Sequence, residues 1–426
     1  MDQAALAAWA KDVADGEVVA KADYSLSLTS KLLRFRWNGA PTVGVGSDAD
    51  GSTRIQTVVD GLAWFLATRD VGDDALHLVL GVPSKQTSHG FAEHSDAIGT
   101  LISQLTDGPQ IRLWTVGDDG AATEIEVHPA AFTTSTPGKW SALLASAAES
   151  SVDGVAAELV RAVDRPSLAL YPKLSSQTGP EPWQLRVDGL EIGRAGTGSA
   201  TLALNSGRLD SAREPRATWR EVVGADAVVV TPGSIPKAVA LIREVIKRWS
   251  DADNPGAVLA HGHAEHALEA HILSGRLTLL SDGGPLRSAV PHRTTLRAAQ
   301  FPTLWGDVTR PARYLDALLA DGAGRPWAVE LKDQDAGGGH GAYLRHGVSQ
   351  AVLYRHYIRT APALAPWFSK HGLDQSRCQA ALAFPTAASA AAKSVEKHRD
   401  LARRWDVEVM EFSRPGTGGS KPTVGY

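Results

Sequence analysis

The segment Tyr314–Gln334, YLDALLADGAGRPWAVELKDQ, decides how the rest of this chain is read. Two short apolar runs, Tyr314–Ala320 and Trp327–Leu331, flank Asp-Gly-Ala-Gly-Arg-Pro, a turn composition that predicts a β-hairpin. Three charged residues interrupt the apolar pattern: Asp316 on the first strand, Glu330 and Lys332 on the second. Strand side chains alternate faces, so Glu330 and Lys332 point the same way, and a hairpin can bring Asp316 beside them. Two carboxylates and an ammonium on one face are costly to bury unless they bind something. A divalent cation answers that cost, because hard oxygen ligands suit Mg²⁺ or Mn²⁺.

The surroundings of the hairpin extend the pattern. Ala264–Gly275, AEHALEAHILSG, predicts a helix with Glu265 and Glu269 at i,i+4 on one face. Gly347–Ile358, GVSQAVLYRHYI, carries Gln350 and Tyr354 at Q-x-x-x-Y spacing. Cys378–Pro385 reads as a buried strand, Ala387–Trp405 as a helix and Val407–Phe412 as a strand. With Asp followed by Glu-x-Lys across a hairpin, this order resembles the PD-(D/E)XK nuclease superfamily, its RecB-like members in particular, over roughly Val258 to Phe412. The chain departs from the family pattern at one point: Leu315, not proline, precedes Asp316.

The resemblance implies a restriction-endonuclease-like domain, a mixed sheet flanked by helices, that hydrolyses DNA phosphodiester bonds with Mg²⁺. Asp316, Glu330 and the Leu331 carbonyl would hold the metal, and Lys332 would orient the attacking water and stabilise transition-state charge. Glu269 would complete the metal site, with Glu265 one turn earlier as its alternative. Gln350 would lie near the reacting phosphate. Tyr354, Arg345 and Arg355 would approach the nucleic-acid backbone, as would His340 in the glycine-rich run Gly337–Gly341. Arg359, His346 and His356 add to the basic character of that helix. His261 and His263 form an H-x-H beside the acids and His266 and His271, but no third ligand stands at a familiar zinc spacing.

Composition bounds the remainder. At 426 residues and 43% hydrophobic, the chain has room for more than one core. No run approaches the roughly 18–20 apolar residues of a membrane span, so no membrane partner is expected. The single cysteine, Cys378, excludes an internal disulfide and a four-cysteine iron–sulfur cluster, and fits a cytoplasmic setting. Net charge is −4, distributed unevenly. Residues 1–254 hold 23 Lys+Arg against 32 Asp+Glu (−9), residues 255–414 hold 19 against 15 (+4), and Lys421 lies in the tail. The basic half is the one that a phosphodiester would visit.

In chain order, residues 2–14 predict a short helix. Leu32–Trp37 reads as a half-exposed strand with Thr42–Val45 as its partner, and Thr53–Arg69 as an amphipathic helix. His77–Val82, Phe91–Leu105 and Ile111–Val116 continue as strand, helix, strand, the alternation of an α/β layer. After the linker Thr133–Gly138, helices are expected at Trp140–Ala148 and Val155–Val163, then strands around Leu168–Tyr171, Trp183–Arg194 and Ala200–Leu204. The dipeptide Asp188-Gly189 marks a hairpin turn. Ala227–Val230 predicts a strand and Ile235–Trp249 an amphipathic helix. The boundaries are therefore 1–132, an α/β N-terminal domain; 139–250, an α+β middle domain; 255–414, the nuclease-like domain; and 415–426, a flexible tail.

No P-loop is present, so no nucleotide-driven motor is expected. The expected partner is DNA, with RNA as an alternative substrate. The N-terminal region would recognise substrate, form a homodimer or bind a partner protein. Prokaryotic defence or DNA repair is the expected setting. A nuclease fold without catalysis, serving as a nucleic-acid-binding or assembly module, is the competing expectation.

Overall fold

A computed structural model describes residues 1–16, 32–49, 51–68, 72–82, 88–132, 152–172, 181–204, 213–251, 264–303, 313–333, 340–386 and 392–413. The expected helix at Trp140–Ala148, His261 and His263, the glycine run at 337–339 and the tail from Arg414 lie outside these residues. The chain is mixed α/β, with three main sheets.

The N-terminal sheet has the order β1 (Leu33–Trp37), β2 (Ala40–Val45), β3 (Ala75–Gly81), β4 (Gln110–Val116) and β5 (Ala122–Ile125). Its three inner strands run parallel, and both outer pairs are antiparallel. Helix α1 (Gln3–Val13), N-capped by Asp2, packs its Leu6 and Ala10 with Phe35, Trp37, Val79 and Val116 on one side. Helices α2 (Gly51–Thr68) and α3 (Ser88–Ser103) cover the other. Strand β1 is not half-exposed as its alternation suggested. Arg34 is buried near Asp60 of α2, and Arg36 reaches Asp73 at 2.7 Å, so each basic side chain is matched by an acid distant in sequence.

The middle sheet is β10 (Val228–Val230), β9 (Ala200–Leu202), β8 (Leu190–Ala195), β7 (Trp183–Val187) and β6 (Leu168–Pro172), antiparallel throughout. Helices α4 (Gly154–Val163), α5 (Arg213–Val223) and α6 (Ile235–Asp251) pack on it around a core of their own. In α6, Ile235, Val239, Ile242, Ile246 and Trp249 are all buried, each such side chain contributing on the order of 1.5–3 kcal/mol. At the β7–β8 turn Asp188 and Gly189 have φ of 42° and 82°, the left-handed pair that a two-residue hairpin needs.

The C-terminal sheet follows helix α7 (Ala264–Leu273). Short strands β11 (Leu280–Ser281), β12 (Gly284–Pro285), β13 (Arg287–Ser288) and β14 (Ala299–Thr303) precede the hairpin β15 (Arg313–Ala320) and β16 (Pro326–Leu331). Leu318 pairs with Ala328 and Ala317 with Val329, so one step further Asp316 stands across from Glu330. Asp321 holds the turn, accepting the Ala323 and Arg325 N–H groups and the Arg325 guanidinium. Helix α8 (His340–Thr360) then crosses the sheet, and the short helix α9 (Ala365–Lys370) follows. Strand β17 (Gln379–Pro385) pairs parallel to β16. Helix α10 (Ala392–Arg403) leads to β18 (Val407–Phe412), parallel to β17.

The N- and C-terminal sheets share one continuous apolar core through α2, α3 and α8. Trp405 Nε1 donates to the Leu101 carbonyl at 2.7 Å, and His356 lies 2.8 Å from the Ala130 carbonyl. The boundary drawn between residues 132 and 255 therefore separates chain segments that are packed together.

Candidate active site

The open end of the β15–β16 hairpin gathers the acids. Asp316 Oδ2 accepts the Leu331 N–H at 2.9 Å. Lys332, 4% exposed, donates to Glu330 Oε1 at 2.6 Å and to the Leu331 carbonyl at 3.0 Å, and lies 3.6 Å from Glu265 Oε1. Its own backbone N–H reaches the Ala383 carbonyl of β17. Helix α8 passes directly over this lysine at Gly347. A β-carbon there would lie 2.5 Å from Leu382 Cδ1 and 3.2 Å from Lys332 Cγ, so a larger residue would have to displace those side chains.

Helix α7 supplies the second wall. Glu269 is fully buried, and its Oε2 lies 3.1 Å from His266 Nδ1 and accepts from Gln300 Nε2 at 3.1 Å. Its other oxygen, Oε1, has no hydrogen-bond partner among the described residues. Burying half a carboxylate without a partner is unfavourable by about 1–3 kcal/mol or more, so this atom marks a place where a ligand could be accepted. Glu330, Asp316 and Glu265 thus surround one ammonium, and Glu269 adds a fourth carboxylate on the Asp316 side.

The electrostatics follow. Burial, and then the Glu330 charge, push the Asp316 carboxyl well above its ordinary range. Burial would lower the Lys332 ammonium, but Glu330, Asp316 and Glu265 outweigh it and hold the group above its ordinary value. Among the described residues, no three His, Cys, Asp or Glu side chains already stand at metal-ligand spacing. Glu330 is turned to Lys332 and Asp316 to the Leu331 N–H, and those bonds hold the oxygens apart.

Several expected contacts fall elsewhere. Arg345 is fully buried and paired with Asp60 of α2, and Arg355 is buried with its guanidinium on the Trp405 and Asp406 carbonyls at 2.7 and 2.6 Å. Burial, then Arg359, lower Arg355 to about 10. Neither arginine presents itself to a nucleic-acid backbone, because each is engaged in joining elements of the fold. Arg359 donates to the Cys378 carbonyl at 2.6 Å, and His356 is buried. Tyr354 is buried, and its hydroxyl accepts from Gln350 Nε2 at 3.3 Å. Gln350 is half-buried, with Oε1 lacking a partner among the described residues. His340 opens α8, and its side chain lies outside the described residues.

Three further groups adjoin the site with no local signal of their place there. Gln300 sits on β14 with φ of 50°, an unusual conformation for a non-glycine residue, and binds Glu269. Tyr171 comes from the middle sheet. Burial and the nearby Glu269 charge push its phenol well above its usual range, and its hydroxyl has no hydrogen-bond partner among the described residues. The third is the Asp188–Gly189 turn, which seats against the His266 backbone of α7, leaving no room for a β-carbon at Gly189. Asp188 there accepts Arg276 at 2.7 Å and lies 3.3 Å from His271. His271 is thereby committed to Asp188 and His266 to Glu269. Only a long-range contact map could have found these, since Tyr171 lies 98 residues before Glu269 in the chain.

No protein-family model, curated protein or solved structure matches this chain. Among the described residues no helix is long and apolar enough to cross a membrane.

Proposed function

We propose that this chain is a Mg²⁺-dependent nuclease, Mn²⁺ substituting, that hydrolyses DNA phosphodiester bonds at the open end of the β15–β16 hairpin, in a C-terminal region of restriction-endonuclease-like architecture. The observation that carries the reading is the excess of carboxylates over cations: Glu265, Asp316 and Glu330 around Lys332, and Glu269 near Asp316 with a buried oxygen lacking a partner among the described residues. An all-oxygen donor set with surplus negative charge fits a hard divalent ion. Asp316, Glu330, the Leu331 carbonyl and Glu269 would hold it. When bound, the ion supplies Lewis-acid polarisation of the phosphate and acidifies the attacking water. Lys332, released from Glu330, would orient that water and neutralise charge developing on the phosphate. Gln350, one turn beyond Gly347 on α8, would position the scissile group.

The acidic N-terminal region would select substrate or bind a partner, and a cytoplasmic defence or repair setting follows by analogy with nucleases of this type. The competing reading, a nuclease fold that only binds nucleic acid or assembles with partners, draws on the commitment of Lys332 to Glu330 and of Arg345 and Arg355 to the fold.

Cleavage of labelled plasmid and of single- and double-stranded oligonucleotides, DNA and RNA, separates the two readings. Cutting with Mg²⁺ or Mn²⁺ that is abolished by EDTA and by Glu330→Gln is the expected result. Binding without cutting by either protein in any metal would assign the chain to the second reading.

A further inference from the structure

A cleft of about 390 Å³ opens between the middle domain and the segment that leads into β14. One wall is the C-terminal end of α4, and the other is residues 292–297. The walls are fixed to each other by backbone bonds. The Leu170 N–H reaches the Thr294 carbonyl at 2.8 Å, and the Leu296 N–H reaches the Leu170 carbonyl at 2.9 Å. Into this space come Arg161, Arg165, Arg293, Arg297 and His292, against one acid, Asp164.

The ordinary explanation for basic residues at a helix C-terminus is that they satisfy its last carbonyls. Here Arg243 does that, donating to the Ala162 and Val163 carbonyls at 2.7 and 3.2 Å, and the Asp164 N–H closes on Val160. Arg161 and Arg165 are not needed for it. Neither they nor Arg293 make an ion pair or a hydrogen bond among the described residues. The Arg297 guanidinium stands 5.6 Å from the centre of the Trp183 ring, anchored on an aromatic face. His292 Nδ1 accepts the Thr294 and Thr295 N–H groups at 3.2 and 3.0 Å, so its neutral ring carries the proton on Nε2, a further donor.

We propose that this cleft binds a phosphate-bearing ligand of nucleotide size, either a free nucleotide or one unit of a nucleic-acid strand. Guanidinium forks match phosphate oxygens in pairs, and a concavity of a few hundred Å³ fits a ligand of that size. Four arginines against a single acid give the cleft a surplus of positive charge that an anion would complement. The site is separate from the carboxylates around Lys332 and does not rest on hydrolysis there.

Calorimetric titration of the full chain in EDTA tests it, with three phosphate probes: inorganic pyrophosphate, adenosine triphosphate and a short oligothymidylate. Wild type is compared with the double variant Arg165→Ala/Arg293→Ala, and with Lys237→Ala on exposed α6 as a charge control. Arg165 and Arg293 are exposed, so circular dichroism should show the double variant folded. Saturable binding of at least one probe, weakened about tenfold or more in the double variant and unchanged in Lys237→Ala, is expected. Binding of oligothymidylate alone would assign the cleft to a strand, and binding of the small phosphates to a free nucleotide. The proposal is overturned by no saturable heat up to about 1 mM of any probe, by equal affinities in wild type and double variant, or by tighter binding of oligoglutamate than of every phosphate.

Discussion

Two buried ionic groups in this molecule are built on opposite principles. At the junction of the N- and C-terminal sheets, Asp60 and Arg345 form a pair, both essentially without exposure, that joins α2 to α8, and the buried Arg34 lies near the same carboxylate. At the hairpin end, one ammonium faces three carboxylates, Glu330, Asp316 and Glu265, with Glu269 beyond them near Asp316. At the junction the acid is answered by arginines from two elements of the fold. The cluster is unmatched, with acids outnumbering the ammonium. An acid answered within the fold describes architecture; an imbalance held in place by the same kind of scaffold describes a site that awaits a counter-charge.

The comparison is broken most forcefully at the matched pair. Arg345→Met leaves Asp60 buried with its principal partner gone, and a loss of about 3–5 kcal/mol in denaturant unfolding is expected. The double change Asp60→Leu/Arg345→Met should recover only part of that loss, because Asp60 also answers the buried Arg34. Full recovery would show that Arg34 does not depend on Asp60.

At the unmatched cluster the next largest effect is on activity. Lys332→Met keeps the aliphatic stem under Gly347 and removes the charge, and a fall of about 10²–10³ in metal-dependent cleavage is expected in single-turnover assays. A variant that cuts as well as wild type would remove Lys332 from the chemistry.

A smaller effect sharpens the contrast through pH. The Asp316 carboxyl is raised above its ordinary value of 3.8. Its contribution to stability is therefore complete below that value and is lost as pH rises through its folded pKa. Without metal, Asp316→Asn should be more stable than wild type at neutral pH, by a few degrees in Tm, and the advantage should vanish in acid. Added Mg²⁺ should raise the Tm of wild type and leave Asp316→Asn unmoved.

The smallest expected effect lies at Glu408 on β18. Burial and then Asp282 lift it to about 7 from an ordinary 4.5. Stability should decline as pH rises from about 4.5 to about 7, and Glu408→Gln should flatten that slope in pH-resolved melts.

Much of the C-terminal topology was legible because its signals are local. The turn composition at 321–326, the alternation on either side of it, the i,i+4 acids of α7 and the apolar runs of β17 and β18 each specify an element without outside help. The strands β11 to β14 were not legible. Three of them are two residues long, and Pro302 interrupts the pattern of β14, so Gln300 was missed with its strand. Arg345 and Arg355 were misread for a different reason. A basic residue looks the same in sequence whether it faces phosphate or an acid 285 residues away, and only tertiary structure brings Asp60 to Arg345. The alternation at Leu32–Trp37 likewise reads as a half-exposed strand, although Arg34 is buried.

The seat of the Asp188–Gly189 turn on α7 bears on how this molecule can be taken apart. The helix that carries Glu265 and Glu269 is braced from outside its own sheet, by a turn whose glycine admits no side chain and whose aspartate grips Arg276. The stretch from 255 to 414 is therefore not a transplantable cassette. Grafted elsewhere it would bring every acid and the lysine, yet leave behind the abutment that sets their spacing.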